Sequence, residues 1–352
     1  MNYKNYYKKE KIMPLFSNGN RVNIRFLYLI SLIFLFSAHP IAAFSQSNYP
    51  NQLVKIIVPF AIGGPTDGIA RKLALALSQE TGKSFVVENK PGAQGVIGTV
   101  QVKDAKPDGY TLMVNETKGL FAIYPAITKP SPFDGRKDFT PISLIAHGPV
   151  FLLVNSNLPV KNFKELIDLS KNTPNGLSFG SAGGKGQFPT HVGPELLKIK
   201  YGLNAQNIAY RGGSPALIDL AADRVHFTMS TGLVSAQPFI DSGKVKPLAV
   251  TGLQRSLSQP NVPTFSELGY PLPEIDEGVM FAFWGPANLP PEVMNYLNAA
   301  VSKALQSKEM IDGLKALDLF IPKNQGPQHH GELMDKEIKT WGSIAVKMNL
   351  TD

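Results

Sequence analysis

Strand signals and helix signals alternate along most of this chain, and that alternation confines it to a layered α/β architecture. Residues 53–58 form a short branched run that stops at Pro59. Ile69, Ala70, Leu73 and Leu77 then recur at helical spacing, which predicts a helix over about residues 67–79 closed by Gly82. Residues 85–88 and 110–114 read as the next strands. The pattern resumes with Asn162 and Glu165, spaced as a capping box ahead of Phe163, Leu166 and Ile167. A strand begins at residue 177, Ser214-Pro215 reads as a cap and first turn, and Val225, Phe227 and Met229 alternate as in a half-buried strand. The C-terminal part is helical: Pro290-Pro291 opens one helix, and Met334, Ile338, Trp341, Ala345 and Met348 mark the apolar side of another.

Two such α/β blocks imply two lobes. The expected boundaries are residues 46–150 with 275–352 for the first lobe and 151–274 for the second. Residues 1–45 read as a signal peptide: six basic residues precede an apolar run over 26–36, and Ala42, Ala43 and Ser45 offer a cleavage site. The run is too short for a span of roughly 20 residues. Removing its six basic residues and Glu10 from the 35 basic and 27 acidic residues leaves a net charge of +3, too mild for nucleic-acid binding. The chain has no cysteine, which excludes disulfides, thiolate metal sites, thiol nucleophiles and a lipid-modified N-terminal cysteine. An exported, monomeric periplasmic protein is the expectation.

Two glycine loops carry the functional signal, because ligands of open α/β sheets bind beyond the carboxyl ends of the strands. The first is Pro59-Phe60-Ala61-Ile62-Gly63-Gly64-Pro65-Thr66-Asp67, between a strand and a helix. Gly63 and Gly64 permit close backbone approach, and the helix start offers unbonded N–H groups to an anion. Thr66 is a candidate cap or donor, and Asp67 a first-turn residue paired with Arg71. The second loop, residues 180–187, contains Ser181, Gly183, Gly184 and Lys185. It fits neither a P-loop nor a dinucleotide fingerprint, since Phe179 and Pro189 stand where glycines are required. Two cradles facing each other across a cleft would trap a small anion.

Catalytic patterns are weak. His329 and His330 are adjacent rather than at metal-ligand spacing, and there is no Gly-x-Ser-x-Gly elbow. Ser181 with His191 would be the pair for a hydrolase, but no acid is placed to orient the histidine. A binding protein without cofactor or metal is the leading reading; a secreted hydrolase and a ligand-sensing signalling subunit are the alternatives.

Several segments together resemble the Bug-type (TctC-like) solute receptors of tripartite tricarboxylate transporters, over residues 49–350. They are Ile56-Ile57-Val58-Pro59-Phe60 through Gly63-Gly64, Thr66-Asp67 and Ala70-Arg71; Val86-Val87-Glu88-Asn89-Lys90-Pro91-Gly92-Ala93; Pro107-Asp108-Gly109-Tyr110-Thr111-Leu112; Lys137-Asp138-Phe139; Tyr210-Arg211-Gly212; Leu248-Ala249-Val250-Thr251; and Val262-Pro263-Thr264. The resemblance implies a two-lobed type II periplasmic-binding-protein architecture with a hinge and a central cleft. It implies a small organic acid held by backbone N–H groups, waters and a few hydroxyls, then passed to the membrane subunits of such a transporter. Carried over, Phe60, Gly63, Gly64, Thr66, Asp67 and Thr117 line the cleft from the first lobe, and Ser181, Gly183, Gly184, His191 and Ser230 from the second.

Three departures stand out. Glu116-Thr117-Lys118-Gly119-Leu120 is charged where the family has small polar residues. The second loop is about two residues longer than usual. Met229-Ser230-Thr231 lacks the acid of amino-acid-binding members, which points away from an amino acid. Lys118 and Lys185 are either charge partners for a di- or tricarboxylate or solvated rim residues.

Overall fold

A computed structural model describes residues 49–348 apart from Lys185. The signal-peptide assignment and the last four residues lie outside the described part.

The first sheet contains β1 (Val54–Val58), β2 (Phe85–Asn89), β3 (Thr111–Glu116), β4 (Phe139–Gly148) and β10 (Val279–Pro286), in the order β2-β1-β3-β10-β4. β1 runs parallel to β2 and β3, while β10 is antiparallel to both β3 and β4. Its helices include α1 (Pro65–Thr81), α2 (Val96–Lys103) and α3 (Tyr124–Ile127), the last entered through a π-helical turn at Gly119–Ile123. The second sheet has β5 (Val150–Asn155), β6 (Leu177–Ala182), β7 (Ala205–Tyr210), β8 (Phe227–Thr231) and β9 (Val245–Val250), in the order β7-β6-β8-β5-β9. With it lie α4 (Phe163–Asn172), α5 (Val192–Tyr201), α6 (Gly213–Ala221) and α7 (Gln237–Asp241). The chain then returns to the first lobe as β10, α8 (Pro291–Gln306), α9 (Lys308–Lys315) and α10 (Pro327–Lys347).

Both faces of the first sheet are covered, which is why β1 ends in the unbroken apolar run Ile56-Ile57-Val58 after the exposed Lys55 rather than alternating throughout. Val54, Ile56 and Val58 pack with Ile69, Leu73 and Leu77 of α1 on one face. Ile57 packs with Met113, Phe121 and Trp284 on the other. Each such buried side chain contributes roughly 1.5–3 kcal/mol. The chain passes between the sheets at Pro149 and again at residues 276–278. The two crossings touch: Gly278 has φ +68°, and a Cβ there would collide with the carbonyl oxygen of Gly148.

Local signals act much as the sequence suggests, with two corrections. Asn162 caps α4, its side chain accepting from the Glu165 N–H (3.0 Å), and Gly82 closes α1 in the left-handed region. But α1 begins at Pro65 with Gly64 as its N-cap, so Thr66 lies in the first turn and caps nothing. Likewise α6 begins at Gly213 after Gly212, which makes Ser214 a first-turn residue rather than a cap. In both cases a glycine occupies the cap position, Gly64 in extended geometry and Gly212 at a positive φ of 155°.

Candidate functional site

The first glycine loop is built around Asp67. This side chain is buried at the start of α1, and four bonds converge on it. The Gly63 N–H and Arg71 Nε donate to Oδ2 (3.0 and 3.1 Å), and Asn89 Nδ2 donates to Oδ1 (2.9 Å), which also pairs with Arg71 Nη2 (3.0 Å). Burial on its own would raise the carboxyl; the bonds from Arg71, Gly63 and Asn89 together outweigh it and hold the group below its ordinary range. Asn89 also donates to the Phe60 carbonyl (3.1 Å), tying the far end of the loop to β2. Gly63 therefore has its amide taken up inside the protein. The amides of Gly64, Thr66 and Asp67 meet no acceptor among the described residues. They are the anion-binding groups that the start of α1 leaves over.

The turn after β3 is built differently. Glu116 is buried, and its carboxylate accepts from the N–H groups of Lys118 (2.9 Å), Gly119 (2.9 Å) and Leu120 (3.1 Å). Burial raises its carboxyl to about 7, against the pull of those three donors. Beside it, Thr117 is fully buried and its Oγ1 has no partner among the described residues. Lys118 is neither a rim residue nor available to a ligand. Its Nζ donates to the Gly278 carbonyl at the lobe crossing (2.8 Å) and pairs with Glu337 of α10 (3.6 Å). Lys185 lies outside the described residues.

The second loop largely bonds to itself. Ala182 donates to Thr190 Oγ1 (3.0 Å), Gly186 to His191 Nδ1 (3.3 Å), and Gln187 to the Gly184 carbonyl (3.4 Å). The amides of His191 and Val192 both go to the Gln187 carbonyl (2.9 and 3.1 Å). Ser181 is buried and donates to the Gly183 carbonyl (3.2 Å). Ser230 is half-buried near the end of β8, next to Thr231.

The lobes meet along these loops. Gln187 Nε2 donates to the Gln94 carbonyl (3.2 Å), and the Gln94 side chain lies against Gly184. Gly186 abuts Ile123 and Ile127, and the Lys118 ammonium sits 5.1 Å above the Phe188 ring. A cavity of about 100 Å³ is lined by Gly63, Gly64, Asp67 and Gly68 from one side and by Thr231, Val234 and Ser235 from the other. It gathers Gly63, Gly64 and Asp67 of the expected set; Phe60, Thr66, Thr117, Ser181, Gly183, Gly184, His191 and Ser230 lie outside its lining. Gln94, Asn89, Val234 and Ser235 were not singled out from sequence, although Asn89, ending β2, stands at the carboxyl end of a strand. A larger groove of about 650 Å³, lined by His147, Asp276, Glu277 and Lys336 among others, contains no residue of either glycine loop. Among the described residues no cluster of His, Asp and Glu could hold a metal ion, and no helix is long and apolar enough to cross a membrane.

Two α/β lobes joined by paired crossings, with helix-start amides of one lobe facing the other, define the two-lobed solute-binding class. Within it, residues 69–350 match the model of the tripartite tricarboxylate transporter family receptor, TctC, and the chain belongs to that family. Protein BugT of Bordetella pertussis is 31% identical over 92% of this chain and 97% of its own length. The structure of periplasmic binding protein BugD is similar with TM-score 0.77 and 30% identity, covering 86% of this chain and 99% of that one. Rpa4515 of R. palustris with adipate shows TM-score 0.77 and 31% identity, with the same coverage.

Proposed function

We propose that this protein is a periplasmic receptor that captures a small carboxylated organic solute between its lobes and delivers it to the membrane subunits of a tripartite tricarboxylate-type transporter. The observation that carries this reading is the set of unbonded amides at Gly64, Thr66 and Asp67, of which Gly64 and Asp67 border a cavity closed by Thr231 and Ser235 of the other lobe. Such a set takes a carboxylate without needing a basic side chain. The adipate in a 31%-identical relative and the periplasmic description of BugD support both solute class and compartment. The charged, apolar, small-residue leader supports export. The lobes comprise residues 46–150 with 275–352, and residues 151–274. Because they touch at Gly184, Gly186 and Phe188, entry requires them to part and capture requires them to close.

A hydrolase reading gains no support. The Ser181 hydroxyl proton is directed at the Gly183 carbonyl rather than at a base. The test is a thermal-shift and calorimetric screen of organic acids, with mass spectrometry of recovered ligand. Saturable binding with intact ligand is expected; at 100 times its dissociation constant the ligand adds about 2.7 kcal/mol of stability. Absence of binding by every organic acid, or recovery of a transformed product, refutes the reading.

A further inference from the structure

Between β6 and α5 of the second lobe, the residues from Gly186 to Phe188 reach out of their own lobe. They are rooted there: the Gly186 N–H donates to His191 Nδ1 (3.3 Å), and the Gln187 carbonyl accepts from the N–H groups of His191 and Val192 (2.9 and 3.1 Å). Their outer side is seated on three separate parts of the first lobe. Gly186 abuts Ile123 and Ile127, so closely that a Cβ would stand 2.5 Å from Ile127 Cδ1. Gln187 Nε2 donates to the Gln94 carbonyl (3.2 Å) in the turn ahead of α2. Phe188 is only 6% exposed; its ring lies 5.6 Å from that of Trp341 on α10, and the Lys118 ammonium stands 5.1 Å over it. The same ammonium donates to the Gly278 carbonyl at the lobe crossing (2.8 Å) and pairs with Glu337 (3.6 Å). One cation therefore touches the last helix, the crossing and the inserted ring.

We infer that the segment from Gly186 to Phe188 is a closure latch, with the Phe188 ring as its bolt, and that it holds the lobes together before any solute is bound. Turning the lobes apart about the crossings draws the ring off Trp341 and Lys118 and returns it to water. That step exposes apolar surface and strips a cation from an aromatic face, so the parted form is the less favourable one. Each lobe has a sheet and an apolar cluster of its own. The latch is therefore dispensable to folding and acts on the angle between the lobes. A receptor latched in this way binds a solute that fits the closed form more tightly, because less of its population has to be shifted. It also admits that solute more slowly, because entry takes place through the parted form. The inference goes beyond the receptor reading, since it concerns the empty protein.

The experiment is small-angle X-ray scattering of the mature protein without ligand, paired with acrylamide quenching of its tryptophans, Trp284 and Trp341. The wild type is expected to fit the closed structure and to be quenched weakly, since both indoles are buried. Phe188→Ala should increase the radius of gyration. Gly186→Ala keeps the ring but drives the segment off Ile127, so it should increase the radius and also raise quenching severalfold; adding Ile127→Ala should reverse both changes. Truncating the ring uncovers Trp341 even where the lobes stay together, so only scattering is read in Phe188→Ala. Far-UV dichroism and cooperative urea unfolding establish which variants are folded. A wild type whose scattering fits parted lobes overturns the inference, and so does an unchanged radius in the folded variants; where only one variant folds, its radius decides. Loss of the fold in both overturns it as well, because the segment would then belong to the fold rather than latch it. No ligand is used, so none of these outcomes bears on the receptor reading, which the organic-acid screen tests.

Discussion

Replacing Asp67 by asparagine separates a loop-building role from a ligand-contacting one. The wild-type carboxylate receives Gly63 N–H and Arg71 Nε on one oxygen, and Asn89 Nδ2 and Arg71 Nη2 on the other. Asparagine has one oxygen and one NH₂. Whichever way the amide turns, its NH₂ faces two donors: Gly63 and Arg71 in one orientation, Asn89 and Arg71 in the other. Hydrogen bonds to a charged group are worth about 1.5–3 kcal/mol each when buried. Here Gly63 is exposed and the Arg71 side chain is 49% exposed, so water replaces part of what is lost. A net destabilisation of about 2 kcal/mol is expected, near 4 °C in Tm for a chain of this size. Because Asp67 fixes the loop that aims the Gly64 and Thr66 amides, affinity should fall about tenfold at the same time.

The pH dependence supplies an independent readout. The folded carboxyl lies below its ordinary value of 3.8, so its stabilisation is present above that pH and is lost as pH falls through the lower folded value. The gap between wild type and Asp67→Asn, measured by urea denaturation, should be constant near neutrality and shrink below pH 3.8. Equal stability at neutral pH, or a gap that persists in acid, would refute this account. Lost affinity with unchanged stability would show that Asp67 touches the ligand instead.

Other substitutions probe the remaining parts. Gly64→Val leaves the fold intact, since φ is −81° and the nearest atom to an added Cβ is the Ala61 carbonyl oxygen at 3.9 Å, yet it should abolish binding in calorimetry while far-UV dichroism stays native. Gly186→Ala puts a Cβ 2.5 Å from Ile127 Cδ1 at φ +83°; about 1–2 kcal/mol of backbone strain is expected, with a further loss of affinity that Ile127→Ala partly restores. Lys118→Met strands Glu337 in the interior and should cost about 3–5 kcal/mol by denaturation, most of it recovered in Lys118→Met/Glu337→Gln; a neutral single variant would contradict the buried pairing. For Glu116 the folded value of about 7 exceeds 4.5, so stability is fully present below pH 4.5 and is lost as pH rises to about 7, by an order of 3 kcal/mol. Glu116→Gln should lack that decline, as urea midpoints at about pH 5 and 8 would show.

What could be read from the sequence was whatever depends on neighbours in the chain. The stripe of Ile69, Leu73 and Leu77 specifies α1 because its period matches a helix lying on a sheet, and Asn162 with Glu165 specifies the start of α4 because a cap reaches only three residues. The pairing of Asp67 with Arg71 was legible for the same reason, being one helical turn long. The state of an amide is another matter. Nothing in the run from Glu116 to Leu120 says that the acid folds back onto three successive N–H groups, since this requires the chain to enter a helical turn directly after β3. Nothing near Lys118 says that it is buried, since its partners, Gly278 and Glu337, come from the lobe crossing and the last helix. In the second loop the amides around Gly183 and Gly184 are taken up, those of Ala182, His191 and Val192 by Thr190 and Gln187, while the Gly183 and Gly184 amides themselves meet no acceptor among the described residues. Glycine lets a backbone approach a ligand, but it lets that backbone approach its own acceptors equally well. Which amides stay vacant is therefore a property of tertiary closure. Glu116 is where that property departs furthest from the glycine pattern.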